Sequence, residues 1–387
     1  MNWNSNERKV FELNTASSEP AWLLGSFDIW RWSFFLIYAL VAVMFYFGLV
    51  VPYLQLGDMG APRLLADSLT YQEMCSLDSD WGEWDLLRNA GPCISLNLLG
   101  HSPGLVTLSN ALLMVVTSLC MARSYGVSAS KFLIVLLINP MTFLSIFGPN
   151  KEVFGIACVM SLMIFLQDRS LVSLLATLVF ALLSRLPMLA VVLVFLLMLP
   201  VLELQRIGSR PWRFFWKVSM TLLFSLSAFS IVIGGKLSLE LLGNVQDAAD
   251  NSQSTIISLV MEDYSANGLY AVTYVVRLLL NLFGALVNIP FISIETHGLY
   301  YIFGVVGSSF MFLLLGLKSI NRHWGNLLSI NNSRLLIWIF CFFSTLIYCI
   351  SPVIQHRYYF PLYPVLVLAA LSWRMSDIVP GEPVKTE

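Results

Sequence analysis

From Ser33 to about Leu54 the chain carries no charged side chain, and apolar runs of the same kind recur to its far end. Each approaches the ~20 residues needed to cross the hydrocarbon of a bilayer. Backbone N–H and C=O groups find no water there, so a crossing segment must satisfy them within itself or in a closed barrel. Continuous apolar runs, without the alternation of a barrel strand, select helices. The composition agrees: 57% of the 387 residues are hydrophobic and only 12% charged, against about 25% charged in a soluble domain, and the mean hydropathy is +0.76. The expected fold is all-α, a polytopic integral membrane helical bundle of about 10–12 transmembrane helices with an extracytoplasmic first loop. A net charge of −1 supplies no basic field, which excludes nucleic acid as a partner.

The loops orient the bundle. Residues 1–32 are polar, lack the apolar core of a signal peptide, and place Arg8, Lys9 and Arg31 before the first run. Cytoplasmic loops carry the excess of Lys and Arg, so this segment is expected inside the cell, with a transmembrane domain over 33–374 and a cytoplasmic tail over 375–387. The first run leads to a segment over about 55–102 that is rich in Asp, Glu and Trp, with Arg63 and Arg88 as its cations, and so is placed outside. A second external loop spans about 236–267. Spans are expected over about Pro103–Met121, Phe132–Phe147 and Val153–Leu166, with Asp168-Arg169 as a cytoplasmic turn. Leu171–Leu202 is apolar except at Ser184-Arg185-Leu186-Pro187, which predicts two short helices joined there, with Arg185 outside. Later spans are expected over Phe214–Ile233, Leu299–Leu317, Leu335–Ile350 and Tyr359–Trp373. The Arg277 segment, interrupted by Gly284, Asn288 and Pro290, reads as broken or re-entrant.

Cys75 and Cys93 both lie in the first external segment, on the oxidising side, where a disulfide between them is expected. Cys120, Cys158, Cys341 and Cys349 sit inside apolar runs and read as small hydrophobes. No Cys-x-x-Cys or His-x-x-x-His pattern occurs, and neither a metal nor a cofactor is expected.

Gly148-Pro149-Asn150-Lys151-Glu152 joins the third and fourth spans at the outer face. Gly148 and Pro149 break the backbone, so Asn150, Lys151 and Glu152 are expected to open a new helix, where a Glu suits the positive helix end. Two readings stand: a helix cap, or an ionic site at the membrane boundary. Adjacent helical residues point about 100° apart, so Lys151 and Glu152 should take different partners. Lys151 is then a phosphate ligand, while Glu152 either pairs with an arginine such as Arg185 or acts as a base. Topology brings Asp67, Arg88, Arg185, His356 and Arg357 to the same face, with Arg277 close by if its segment is broken. Cations at membrane depth beside a few acids suit a lipid-linked phosphate sugar: the cations hold and stabilise the leaving phosphate, and an acid deprotonates the acceptor hydroxyl. No Gly-rich phosphate loop is present for a nucleotide-sugar donor.

Three stretches carry a resemblance to a known family: Asp67 to Tyr71 after the first span, Asn139-Pro140 with Asn150-Lys151-Glu152, and Arg357-Tyr358 running to Pro361-Leu362-Tyr363-Pro364. With these the chain resembles the polytopic glycosyltransferases of the GT-C superfamily and the membrane proteins of bacterial polysaccharide clusters. The resemblance implies a polyprenyl-phosphate sugar donor used outside the cytoplasm, a glycan acceptor, and an acid of the first external loop as base. It implies Asp67 as that base, with Glu152 as the alternative, and Lys151, Arg185 and Arg357 as phosphate ligands; Arg277 and His356 join the substrate-binding set by their placement. The lipid bilayer is the standing partner, and other polysaccharide-assembly proteins are admitted. The function expected is an inner-membrane glycosyltransferase of cell-surface polysaccharide assembly. Two alternatives are an O-antigen or capsule repeat-unit polymerase working on polyprenyl diphosphates, and a polysaccharide-precursor transporter or flippase. A transporter would often show two related halves, and no internal repeat is evident.

Overall fold

In the computed structural model the chain falls into two units, Met1–Leu49 and Val50–Glu387. The residues described are 71–72, 74–75, 89–206, 213–226, 274, 278, 306–323, 332–349 and 359–372, all in the second unit. Among them every regular element is a helix. In order these are α1 (Ala90–Leu98), α2 (Pro103–Tyr125), α3 (Ala129–Ile138), α4 (Pro140–Ser145), α5 (Glu152–Asp168), α6 (Leu171–Ser184), α7 (Leu186–Arg206), α8 (Gly307–His323), α9 (Asn332–Tyr348) and α10 (Tyr363–Ser372). Residues 213–226 are also helical, and a 3₁₀ turn over Phe360–Leu362 precedes α10.

Among the described residues two helices, α2 and the Leu186–Gln205 part of α7, are long and apolar enough to cross a membrane. A 23-residue helix such as α2 is ~34 Å long at 1.5 Å per residue, against a hydrocarbon core of about 30 Å. Its boundaries are locally encoded. Ser102 accepts from the Leu105 N–H at 3.4 Å with Pro103 as first residue, and Gly126 closes the helix at φ 64°, a conformation that costs glycine nothing.

At the centre lies α5, buried nearly all round from Glu152 to Met163. A helix apolar on every side belongs inside a bundle. It packs against α2, α6, α9, α10 and the 3₁₀ turn. Outer helices bury one face and expose the other: Leu105, Leu108, Leu112 and Val116 form an exposed stripe on α2, and Leu171, Leu175, Val179 and Leu182 one on α6. The same 3–4 residue spacing recurs in Leu193, Leu197, Val201 and Leu204 of α7 and in Trp216, Met220 and Phe224. Exposed apolar stripes of this length are unusual on a protein surrounded by water.

Three expectations are corrected. The third run is not one span from Phe132 to Phe147 but two helices, α3 and α4, parted at Asn139 in extended conformation. Pro140 has no N–H to continue the helix, and groups far along the chain make the break stable. The Tyr363 hydroxyl donates to the Val135 carbonyl at 3.1 Å. Asn139 Oδ1 accepts from the Met141 N–H at 3.0 Å, the Thr142 N–H at 3.2 Å and the Ser308 hydroxyl at 2.7 Å. Second, the break at Arg185 joins one short helix to a long one, since α7 has 21 residues. Third, the end of the 55–102 segment, expected as an external loop, contains a helix, α1, whose Gly91, Pro92, Cys93 and Leu96 are buried.

Candidate functional site

The site grows from the turn between α4 and α5. Gly148 adopts φ 70°, and α2 grips the turn from the side. The Gly148 N–H donates to Thr107 Oγ1 at 2.9 Å, and Asn110 Nδ2 donates to the carbonyls of Gly148 at 2.9 Å and Ile146 at 3.2 Å. Both α2 side chains are buried, so these bonds satisfy backbone groups that water does not reach. Asn150 Oδ1 accepts the Glu152 N–H at 3.1 Å. The helix therefore opens at Glu152, with Lys151 as its cap position in αR conformation. Asn150 and Lys151, expected inside the helix, precede it, because the Asn150 side chain supplies the turn itself.

Glu152 is 4% exposed and Arg185, 16% exposed, donates to it from Nη2. Arg185 reaches it because α6 stops there. Pro187 lacks the N–H that would bond the Leu183 carbonyl in a continuous helix. Arg185 is fully extended at φ −162°, ψ 143°, with its N–H on the Ala181 carbonyl at 3.1 Å and its carbonyl accepting Leu189 N–H at 3.1 Å. Its side chain thus leaves the helix axis sideways, toward α5. An Arg anchored on a carboxylate is a planar fork held in one orientation.

Two glycines let other elements close over the pair. A Cβ on Gly91 would lie 2.1 Å from the Leu183 carbonyl oxygen and 2.9 Å from Phe154 Cδ2, so α1 rests its bare backbone on the α6 end. A Cβ on Gly155 would meet Pro361 Cγ at 2.9 Å and Ser184 Oγ at 3.1 Å. The 3₁₀ turn therefore packs one helical turn below Glu152.

Cys75 and Cys93 form a disulfide with a Cα–Cα separation of 5.2 Å. Tyr71, Cys75, Cys93, Leu96 and Val106 make a small buried cluster beside it. The Lys151 ammonium nitrogen lies 5.2 Å from the centroid of the Tyr71 ring. Lys151, Glu152, Arg185, the disulfide and the Gly148 turn therefore gather at one end of the helices. At the other end, Ser124 donates to Asp168 and Arg169 pairs with Glu203.

Of the residues singled out in the sequence, Lys151, Glu152, Arg185, Cys75 and Cys93 are brought together here. Asp67, Arg88, Arg277, His356 and Arg357 lie outside the described residues. Asn110, Thr107, Gly91 and the ring of Tyr71 were not singled out as site residues. Asn110 had a signal, an amide inside an apolar run; Gly91 and Tyr71 act through chain segments remote from their partners. Among the described residues no group of three or more His, Cys, Asp or Glu is arranged to hold a metal. No protein-family model, curated protein or solved structure matches the chain.

Proposed function

We propose that the protein is a multi-pass glycosyltransferase of the plasma (inner) membrane, N-terminus inside, that transfers a sugar from a polyprenyl-phosphate donor at its extracytoplasmic face during cell-surface polysaccharide assembly. One observation carries the reading. Two cations, Lys151 and Arg185, stand at the end of the helices that also holds a disulfide, and Arg185 is fastened by a buried carboxylate. A disulfide belongs to the oxidising side of a membrane, and paired cations at membrane depth suit a phosphate carried on a lipid.

The chemistry follows from the roles. Lys151 and Arg185 bind the phosphodiester of the donor. As the bond from the sugar's anomeric carbon to the phosphate oxygen breaks, charge grows on that oxygen, where fixed cations stabilise it most. An acceptor hydroxyl attacks the anomeric carbon and loses its proton to a base. With Glu152 engaged by Arg185, Asp67 is the base in this proposal, and Glu152 holds Arg185 in place. The apolar stripes on α2, α6 and α7 face acyl chains, and about ten to twelve crossings complete the bundle.

The test is transfer in proteoliposomes. A polyprenyl monophosphate carrying one radiolabelled sugar is compared with a polyprenyl diphosphate carrying an oligosaccharide. Label moving from the monophosphate donor to a glycan acceptor is the expected result. Turnover of the diphosphate donor alone assigns the protein to polymerisation instead, and movement of intact donor between leaflets without transfer assigns it to transport.

A further inference from the structure

Asn110 and Thr107 have no part in the scheme above, yet they hold the turn that leads into Glu152. They lie three residues apart on α2, so they share a face, and both are buried. Thr107 Oγ1 donates its hydrogen to the Pro103 carbonyl at 2.9 Å and accepts the Gly148 N–H. Asn110 Nδ2 donates to two carbonyls, those of Ile146 and Gly148, which only the amino end of an amide can do. The peptide planes on both sides of Gly148 are therefore tied to α2. Pro149 follows with its φ set by the ring, and Asn150 Oδ1 takes the Glu152 N–H at 3.1 Å. A short, stiff path thus runs from α2 to the carboxylate that engages Arg185.

We propose that Asn110 and Thr107 are positioning residues for the Glu152–Arg185 pair. Through the Gly148 turn they set the level at which Glu152 presents its carboxylate, and so the place where the Arg185 guanidinium meets the leaving phosphate. The phosphate part of this inference rests on the transferase reading; the setting of the pair does not. Glu152 arrives on the start of α5 and Arg185 on the end of α6. A carboxylate and a guanidinium attract each other over a range of positions, so their attraction alone does not choose where the pair sits. A third helix, bonded to the backbone just before Glu152, supplies that choice. A cation stabilises developing charge best when it is fixed beforehand, and a misplacement of about 1 Å caused far from the chemistry can cost about 100-fold in rate. An amide among apolar residues is costly to a helix in hydrocarbon; here its hydrogens are used on the turn.

Thr117 supplies a matched control. It lies on α2, is 6% exposed like Thr107, and donates to the carbonyl four residues before it, Leu113, at 2.6 Å. Thr107→Val and Asn110→Leu remove bonds to the turn, whereas Thr117→Val removes a hydroxyl bonded within α2. Thermal midpoints of the full chain in lipid nanodiscs are measured for each variant, alone and combined with Arg185→Met. Distant sites without shared partners add, and sites that act through one another do not. Arg185→Met strands the Glu152 carboxylate, which reaches water more easily once its turn is released. The midpoint loss caused by Arg185→Met should therefore shrink about twofold in Thr107→Val and Asn110→Leu and stay whole in Thr117→Val. Equal losses in all backgrounds overturn the positioning role. In transfer from the polyprenyl-monophosphate donor, kcat should fall about 100-fold in Asn110→Leu, with KM raised far less. Thr107→Ser, which keeps the hydroxyl, should return both readings to wild type, and Thr117→Val should leave kcat unchanged. If Asn110→Leu does not fold, Thr107→Val carries both readings. Wild-type kcat in the clamp variants, with the midpoint coupling intact, overturns the phosphate part. The same coupling, in a protein whose wild type transfers nothing from this donor, defeats the transferase reading and leaves the setting of the pair standing.

Discussion

Glu152 is nearly sealed from solvent, and its charge is tolerable because Arg185 shares its site. Removing one partner of a buried pair strands the other, at a cost of about 3–5 kcal/mol, whereas replacing both by apolar side chains is often close to neutral. Arg185→Met should therefore lower the thermal midpoint in detergent strongly, and Arg185→Met with Glu152→Met should recover most of the loss. Transfer should stay absent in both. A stable double variant with wild-type transfer would reduce Arg185 to a structural group. Lys151 behaves differently, since its ammonium meets a ring and no cap depends on it. Lys151→Met should abolish transfer, and Lys151→Arg should impair it by exchanging a compact charge for a planar fork. The cap belongs to Asn150, and Asn150→Ala should cost about 1 kcal/mol of stability with little effect on transfer. Full transfer in Lys151→Met would leave only a helix start at this place.

Elements meet at the site through backbone as much as through side chains. Pro187 frees the Leu183 carbonyl, and Gly91 permits α1 to lie on it. A methyl group at Gly91 collides with backbone, which cannot swing aside as a side chain can, so α1 or the α6–α7 junction must move. Gly91→Ala is expected to destabilise by at least ~1–3 kcal/mol, the usual range for overpacking. Gly316, within α8, has open space where its Cβ would be, and Gly316→Ala should stabilise by up to ~1 kcal/mol through helix propensity. Thermal denaturation of the two variants side by side measures the contrast. Equal effects would mean that α1 is not seated on α6.

At the scale of the whole molecule, two clusters of ionic groups among the described residues lie at opposite ends of the helices. Lys151, Glu152 and Arg185 gather with the disulfide at one, and Asp168, Arg169 and Glu203 gather at the other. Asn97 of α1 and Gln167 of α5 are exposed near opposite ends. In intact cells a membrane-impermeant maleimide should label Asn97→Cys, and should label Gln167→Cys only after permeabilisation. The reverse pattern would place the cations in the cytoplasm and remove the proposed donor from their reach.

Much of the fold was legible in the chain itself, because its signals are local. Long uncharged runs have one way to satisfy their backbone in hydrocarbon. Pro187 stops α6 wherever α6 is packed, since the missing N–H belongs to the residue and not to its surroundings. The arrangement of Lys151 beside Glu152 foretold divergent partners for the same reason. The break at Asn139-Pro140 was not legible as a split span, because Tyr363 and Ser308, which make it stable, arrive from the far end of the chain. Nor did sequence decide whether Glu152 pairs with Arg185. That choice fell to the antiparallel packing of α5 on α6, which delivers Arg185 at the level of the carboxylate. The ring over Lys151 was equally a tertiary outcome: a disulfide fixes which segments meet, and neither cysteine alone says what its neighbours will touch. Missing donors and charge costs are properties of single residues, whereas partners are set by whichever groups the packed helices bring within reach.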